Sequence, residues 1–300
     1  MVKLEIKKNI VSIYFLISVL LLYLIFMLGD SGHIFPDDKL TTTIIGAIWN
    51  KYHGNWKMGF DSSYLTRMYS MWTDNRYLPV LMPVICGLSG TMHYLEEMNT
   101  TNKRLILARC SRKEYYLSKI AANLACAVSV VVMAIFLYYV TLFLLFDHIP
   151  LSDESFLTIY FAISGKEVEQ TGDVAMSIIY INLFKGVLYF CLYAVMSSSF
   201  CYMMAVWCRD RYVAFGGMIF LCYMLCRVRE ELARKFVVDG ISSAEPIADV
   251  LNPNFLHFAG RSGFYADKEI LAVFLAVILP VFYYLVMFLI SEHSLDVSER

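Results

Sequence analysis

Two acidic pairs, Glu96-Glu97 and Glu230-Glu231, are the residues best suited by type to act as general acid and base or to hold a metal. A membrane-embedded enzyme of the intramembrane protease type needs such acids together with histidines at the same depth. The histidines do not supply them. His33, His53, His148 and His257 fall in hydrophilic connectors, His293 lies in the tail and His93 stands alone, so no two make a ligand pair on one helix face. The eight cysteines lack ligand spacing as well. Cys222 and Cys226 share a face at i, i+4, but no third ligand completes a site. They read as small, soft residues for helix packing. No Gly-x-x-x-x-Gly-Lys-Ser/Thr phosphate loop is present, so ATP hydrolysis by that route requires another subunit. The expectation is a chain that is not itself an enzyme and that holds no metal or cofactor.

The second constellation is suited to recognition. Between two apolar runs the chain reads Tyr94-Leu-Glu-Glu-Met-Asn-Thr-Thr-Asn-Lys-Arg-Leu-Ile-Leu-Ala-Arg-Cys-Ser-Arg-Lys-Glu-Tyr-Tyr-Leu-Ser-Lys119. Thr100 or Thr101 caps a short helix predicted over 102–110, which mixes Leu105, Ile106, Leu107 and Ala108 with Lys103, Arg104 and Arg109. Ser111 and Glu114 form a Ser-x-x-Glu capping box that opens the next helix. A basic connector that merely enforces topology would account for the charges. It would not account for an ordered helix with an apolar face between two caps, which needs a protein to dock on.

The elements that position these groups are membrane spans. Hydrophobic residues make up 59% of the chain and charged residues 17%, and the mean hydropathy is +0.58. A soluble chain needs about a quarter of its residues charged to solvate its surface. The net charge of −1 argues against a nucleic-acid partner. A bilayer core of about 30 Å takes roughly 20 helical residues. Six runs answer to that, at approximately 10–28, 77–95, 118–146, 180–207, 212–228 and 270–291. The fifth is the shortest, and Arg227 and Arg229 extend it by snorkelling. Pro280 is expected to kink the sixth. The fold class is therefore an all-α membrane protein of six transmembrane helices forming one domain over 1–300.

Orientation follows from the density of basic residues. Lys3, Lys7, Lys8, Lys103, Arg104, Arg109, Arg112, Lys113, Lys119, Arg209 and Arg211 crowd the short connectors next to span ends. The long connectors carry mixed charge, and 147–173 holds six acids against Lys166. Short basic loops stay inside, so both chain ends are expected in the cytoplasm and the protein in the cell membrane. Trp49, Trp56 and Trp72 then anchor the first outer loop at headgroup level, and 152–163 reads as a short helix on the outer leaflet. Asp173 and Asp267 are candidate N-caps. Lys185 interrupts a long apolar stretch but is followed by enough apolar residues to span, which puts it at the outer headgroups. Lys185, Ser198 and Arg227 are candidates for a pathway or interface, although small hydroxyls more often pack helices.

This layout resembles the membrane subunit, or permease, of ABC transporters of the type-2 exporter class. The resemblance rests on the acids Glu96 and Glu97 ending the second span, the short helix after them, and Ser111, Arg112, Tyr115 and Lys119 leading into the third. Leu251-Asn-Pro-Asn-Phe255 is similar to the family's loop before the last span. Two departures stand out. Asn99-Thr100-Thr101 occupies the place of a glycine, and the N-terminus is too short for the amphipathic helix that some members carry before the first span. The resemblance implies a short cytoplasmic coupling helix between spans two and three. Glu97, Lys103, Arg104, Leu105, Arg109 and Arg112 would meet a separate ATPase subunit that binds ATP and Mg, and a second permease copy or a paralogue would complete the pathway. It implies export of an amphipathic substrate, such as a peptide, lipid or drug, by alternating access. An accessory or sensor subunit is the remaining alternative.

Overall fold

A computed structural model describes residues 2–28, 45, 48, 77–98, 111–145, 173–239 and 268–298. The helix expected at 102–110, the outer-loop tryptophans, the segment 152–163, Asp267 and the loop 251–255 lie outside them. Among the described residues all regular structure is α-helical: α1 (Val2–Ile10), α2 (Ile13–Leu28), α3 (Leu78–Met98), α4 (Arg112–Leu145), α5 (Asp173–Cys208), α6 (Arg211–Asp239) and α7 (Glu269–Ser298). Helices α3 to α7 each contain a stretch long and apolar enough to cross a bilayer, and α1 with α2 makes a further candidate bent by 57°. By length and composition the described helices are those of a multi-pass membrane protein of the all-α class.

The bend has a local cause. Ser12 Oγ donates to the Asn9 carbonyl at 2.6 Å and accepts the Phe15 amide at 3.1 Å. One hydroxyl therefore closes α1 and caps α2. The break leaves α2 with 16 residues, about 24 Å of rise, and turns Val2–Ile10 aside as a separate helix. A helix does precede the first long apolar helix, where the sequence alone left no room for one.

The other starts are equally local. At the head of α4, Ser111 N donates to Glu114 Oε2 at 3.2 Å and Glu114 N donates to Ser111 Oγ at 3.3 Å. This is the reciprocal capping box expected from Ser-x-x-Glu. Helices α5 and α6 are joined by Arg209 and Asp210 alone. Asp210 Oδ1 accepts the amides of Tyr212 and Val213 at 2.7 and 3.1 Å, while Arg209 takes a φ of 54°. Pro79 occupies the first turn of α3, where its missing N–H costs nothing. Helix α7 runs through Pro280 as one element. Helix α6 runs well past Arg227, to Asp239, because Arg227–Glu230 and Glu231–Arg234 pairs at i, i+3 carry it through its charged part.

Helix α5 is central, packing on α3, α4, α6 and α7. In a bilayer, lipid is as apolar as leucine, so helices associate through close packing and hydrogen bonds. Small residues permit the approach. A Cβ on Gly87 would lie 2.9 Å from Cys201 Cβ on α5, and one on Gly90 would lie 3.1 Å from the Asn123 Cα on α4. Apolar side chains such as Leu22, Phe26, Met82, Tyr138 and Phe190 fill one half of the bundle. Toward the ends that carry Glu97 and Ser111 the filling turns to tyrosine, with Tyr94, Tyr115, Tyr116 and Tyr202 buried together.

Candidate functional site: a buried ion cluster

The tyrosine-rich end holds charges that a membrane helix must neutralise. Glu97 lies one residue from the end of α3, with its side chain 5% exposed. Its Oε1 accepts from Lys8 Nζ of α1 at 2.6 Å. Its Oε2 lies 2.6 Å from Lys119 Nζ of α4 and accepts from the Tyr115 hydroxyl at 3.2 Å. Lys119, 4% exposed, is shared with a second carboxylate, Glu5 of α1. Among the described residues, two acids and two bases thus form a charge-balanced cluster joining α1, α3 and α4. Neutrality is what permits burial, since an unpaired ion here would cost several kcal/mol.

A second layer secures the bend. The Tyr14 hydroxyl of α2 donates to Glu96 Oε1. His93 Nδ1 lies 3.6 Å from Glu96 Oε2, and the Tyr14 and His93 rings meet edge to face at 5.7 Å. Ser89 Oγ donates to the Asn9 carbonyl at 3.3 Å. Deeper in the bundle, Tyr284 of α7 accepts from Asn123 Nδ2 at 3.1 Å and from Ser199 Oγ at 3.0 Å. That triad links α4, α5 and α7.

The residues singled out from sequence distribute unevenly. Glu97 is drawn into the cluster. Arg112 begins α4, and its side chain, like Lys103, Arg104, Leu105 and Arg109, lies outside the described residues. Ser198 is buried, with Oγ donating to the Val195 carbonyl at 3.2 Å in its own helix. Lys185 projects from the exposed side of α5, near the start of its span-length part Leu183–Cys208. Arg227 is exposed on α6, where it donates to Tyr223 and Glu230. Sequence reasoning missed Glu5 altogether. Its one local signal was the spacing of Glu5 and Asn9, i and i+4, which sets two polar side chains on one face of a short helix.

Chemically, the cluster is a clamp. The segment 99–110 leaves α3 directly after Glu97-Met98 and rejoins at the Ser111 box. Both of its roots are therefore fixed to each other and to α1. Among the described residues no group of three His, Cys, Asp or Glu side chains is arranged to hold a metal. No protein-family model, no curated protein and no solved structure matches the chain.

Proposed function

We propose that the chain is the permease subunit of an ATP-driven ABC transporter of the type-2 exporter class. In this reading it crosses the cell membrane six times, with the bent α1–α2 pair as the first crossing and both ends in the cytoplasm. A separate ATPase subunit binds ATP and Mg and docks on 98–112. A second membrane half completes the pathway, and the cargo is amphipathic.

The observation that supports this reading best is the clamped pair of roots. A 2.6 Å ion pair between Glu97, at the end of α3, and Lys119, about two turns into α4, ties together the helices on either side of the 99–110 segment, and the capping box stiffens the start of α4. Force applied to that segment passes into α3, α4 and α1 together, which suits a lever worked from outside the membrane. Motions of that kind bias packed helices between two discrete arrangements. Export, as opposed to import, comes from the family resemblance alone.

The experiment is affinity purification from native membranes in mild detergent, with ATP hydrolysis as the second readout. An ATPase subunit is expected to co-purify with the wild-type chain and to be lost with Arg104→Glu/Arg109→Glu. Purification with no ATPase, or an ATPase retained at full coupled activity by the double variant, would sink the assignment. Turnover of a substrate by the purified chain alone would favour the membrane enzyme instead.

A further inference from the structure

Helix α1 sorts its side chains by charge. Glu5 and Asn9 turn into the bundle, 8% and 3% exposed, while Lys3, Lys7 and Lys8 stand exposed on the other side. Lys8 is taken by Glu97. Lys3 and Lys7 are not taken: among the described residues no carboxylate pairs with either. They are one turn apart on one face. Their flexible four-carbon stems let both ammonium groups reach a single anion.

The same outer side carries bare apolar residues. Leu4 is 73% exposed and Val11 76%. Val11 N still donates to the Lys7 carbonyl at 3.0 Å, so the two, seven residues apart, share one line of the helix beside Lys7. Apolar side chains next to unpaired cations suit neither water nor a hydrocarbon core. They suit the boundary between the two, where a lysine stem snorkels to the headgroups. The apolar strip continues past the bend through the exposed Ile13, Leu16, Leu20 and Leu24. That is the side α2 turns to acyl chains once it lies in a bilayer, and the same bilayer then reaches α1.

The bend sets the depth. A straight continuation of α2 would carry Lys3 about 14 Å past Ser12 along the helix axis. The 57° bend shortens that to about 7 Å, within a headgroup zone roughly 5–8 Å deep on each side of the core. The Glu5–Lys119 and Lys8–Glu97 pairs hold α1 at that inclination.

We infer that the outer face of α1 is a recognition site for an anionic phospholipid of the adjoining leaflet. Lys3 and Lys7 hold its headgroup phosphate, and Leu4 and Val11 lie against the headgroup end of its acyl chains. Lys8 stays with Glu97, so the lipid engages α1 without drawing on the buried cluster. The site does not depend on the transporter reading and needs only that α2 lies in a bilayer.

The test uses the purified full chain in nanodiscs of phosphatidylcholine and phosphatidylglycerol in equal amounts. One lipid or the other carries a photoactivatable diazirine at the headgroup end of an acyl chain. Mass spectrometry counts adducts on residues 2–13, relative to the uncharged segment 270–285 of α7. Attraction of roughly fivefold per lysine near an anionic surface predicts a phosphatidylglycerol preference of about tenfold or more at 2–13. Lys3→Gln/Lys7→Gln should bring the two lipids to parity there without lowering the thermal stability of the chain, and Lys3→Arg/Lys7→Arg should keep the preference. Equal labelling of the wild type by both lipids would mean that α1 rests on the membrane without reading charge. No labelling of 2–13 by either would mean that water or another protein covers this face. A preference that survives the glutamine variant would place the anion elsewhere, and one abolished by excess soluble glycerol phosphate would assign the lysines to a free phosphate compound. Each of these four results overturns the site.

Discussion

Lys119 and Lys8 both reach Glu97 at 2.6 Å, yet they differ in what surrounds them. Lys119 is 4% exposed and bridges two carboxylates, whereas Lys8 is 48% exposed. Water can replace a half-exposed ammonium but cannot reach a buried one. Lys119→Met takes from Glu5 its counter-ion among the described residues and from Glu97 the buried one of its two lysines, and is expected to cost about 3 kcal/mol or more. Lys8→Met is expected to cost less than about 1 kcal/mol. Thermal unfolding of the two variants in one detergent decides this, and a reversed ranking would show that Lys119 is not the centre of the cluster. Sequence patterns reached only part of this site. Glu97 was visible as half of an acidic pair, and Tyr115 and Lys119 as parts of a motif. Glu5 was invisible as a partner, because the ion pairs join residues 89 and 114 apart in the chain. No local spacing encodes such a separation. What composition can state is that a charge near a span end needs a counter-ion, not which helix brings it.

At the scale of elements, turns and caps were the most readable features because their chemistry lies within four residues. The Ser111–Glu114 box formed as its spacing implied. The lengths of α5 and α6 were less readable. An apolar window ends where charges begin, whereas a helix continues as long as its backbone bonds and i, i+3 pairs persist. The tight α5–α6 junction offers a test of opposite signs. Arg209 holds a φ of 54°, which glycine adopts without the penalty that a Cβ incurs. Arg209→Gly should therefore stabilise by up to about 1 kcal/mol, while Asp210→Ala loses the cap of α6 and should destabilise by about 1 kcal/mol. Chemical denaturation in mixed micelles would measure both; a loss with Arg209→Gly would mean that the arginine side chain, not the backbone, holds the turn. Close approach gives a second contrast. Gly90→Ala drives a Cβ against Asn123 of α4, to 2.2 Å from Oδ1 and 3.1 Å from Cα. Part of that clash is relieved by rotating the amide, part is not, and a cost of about 1–3 kcal/mol is expected. In the chain by itself, Gly216→Ala meets only open space and should gain up to about 1 kcal/mol in helix propensity.

Over the whole molecule, the bend after Ile10 matters most for how motion spreads. A straight first helix would leave the ends of α3 and α4 tied to each other alone. With the 57° bend, α1 lies along α4 and touches α3, so its Glu5 and Lys8 complete the charge balance there. The apolar half of the bundle, around Phe26, Tyr138 and Phe190, does not depend on those charges. Loosening α1 should accordingly free one end of the molecule while leaving the other intact. Glu5→Gln with Lys8→Gln roughly keeps side-chain size and leaves the charges of the cluster balanced, with one acid and one base, Glu97 and Lys119, while removing both charged ties to α1. In hydrogen exchange on the protein in nanodiscs, amides of α1 and of the adjoining ends of α3 and α4, residues 93–98 and 113–119, should exchange faster. Amides 130–138 of α4 should keep their wild-type protection. Uniform acceleration of the whole of α4 would mean that the cluster supports the entire fold. No acceleration at 93–98 would mean that α1 hangs on Ser12 and the Asn9–Ser89 contact, with no mechanical link to α3. Only the graded outcome makes the cluster a joint between the membrane helices and whatever engages the segment between Glu97 and Ser111.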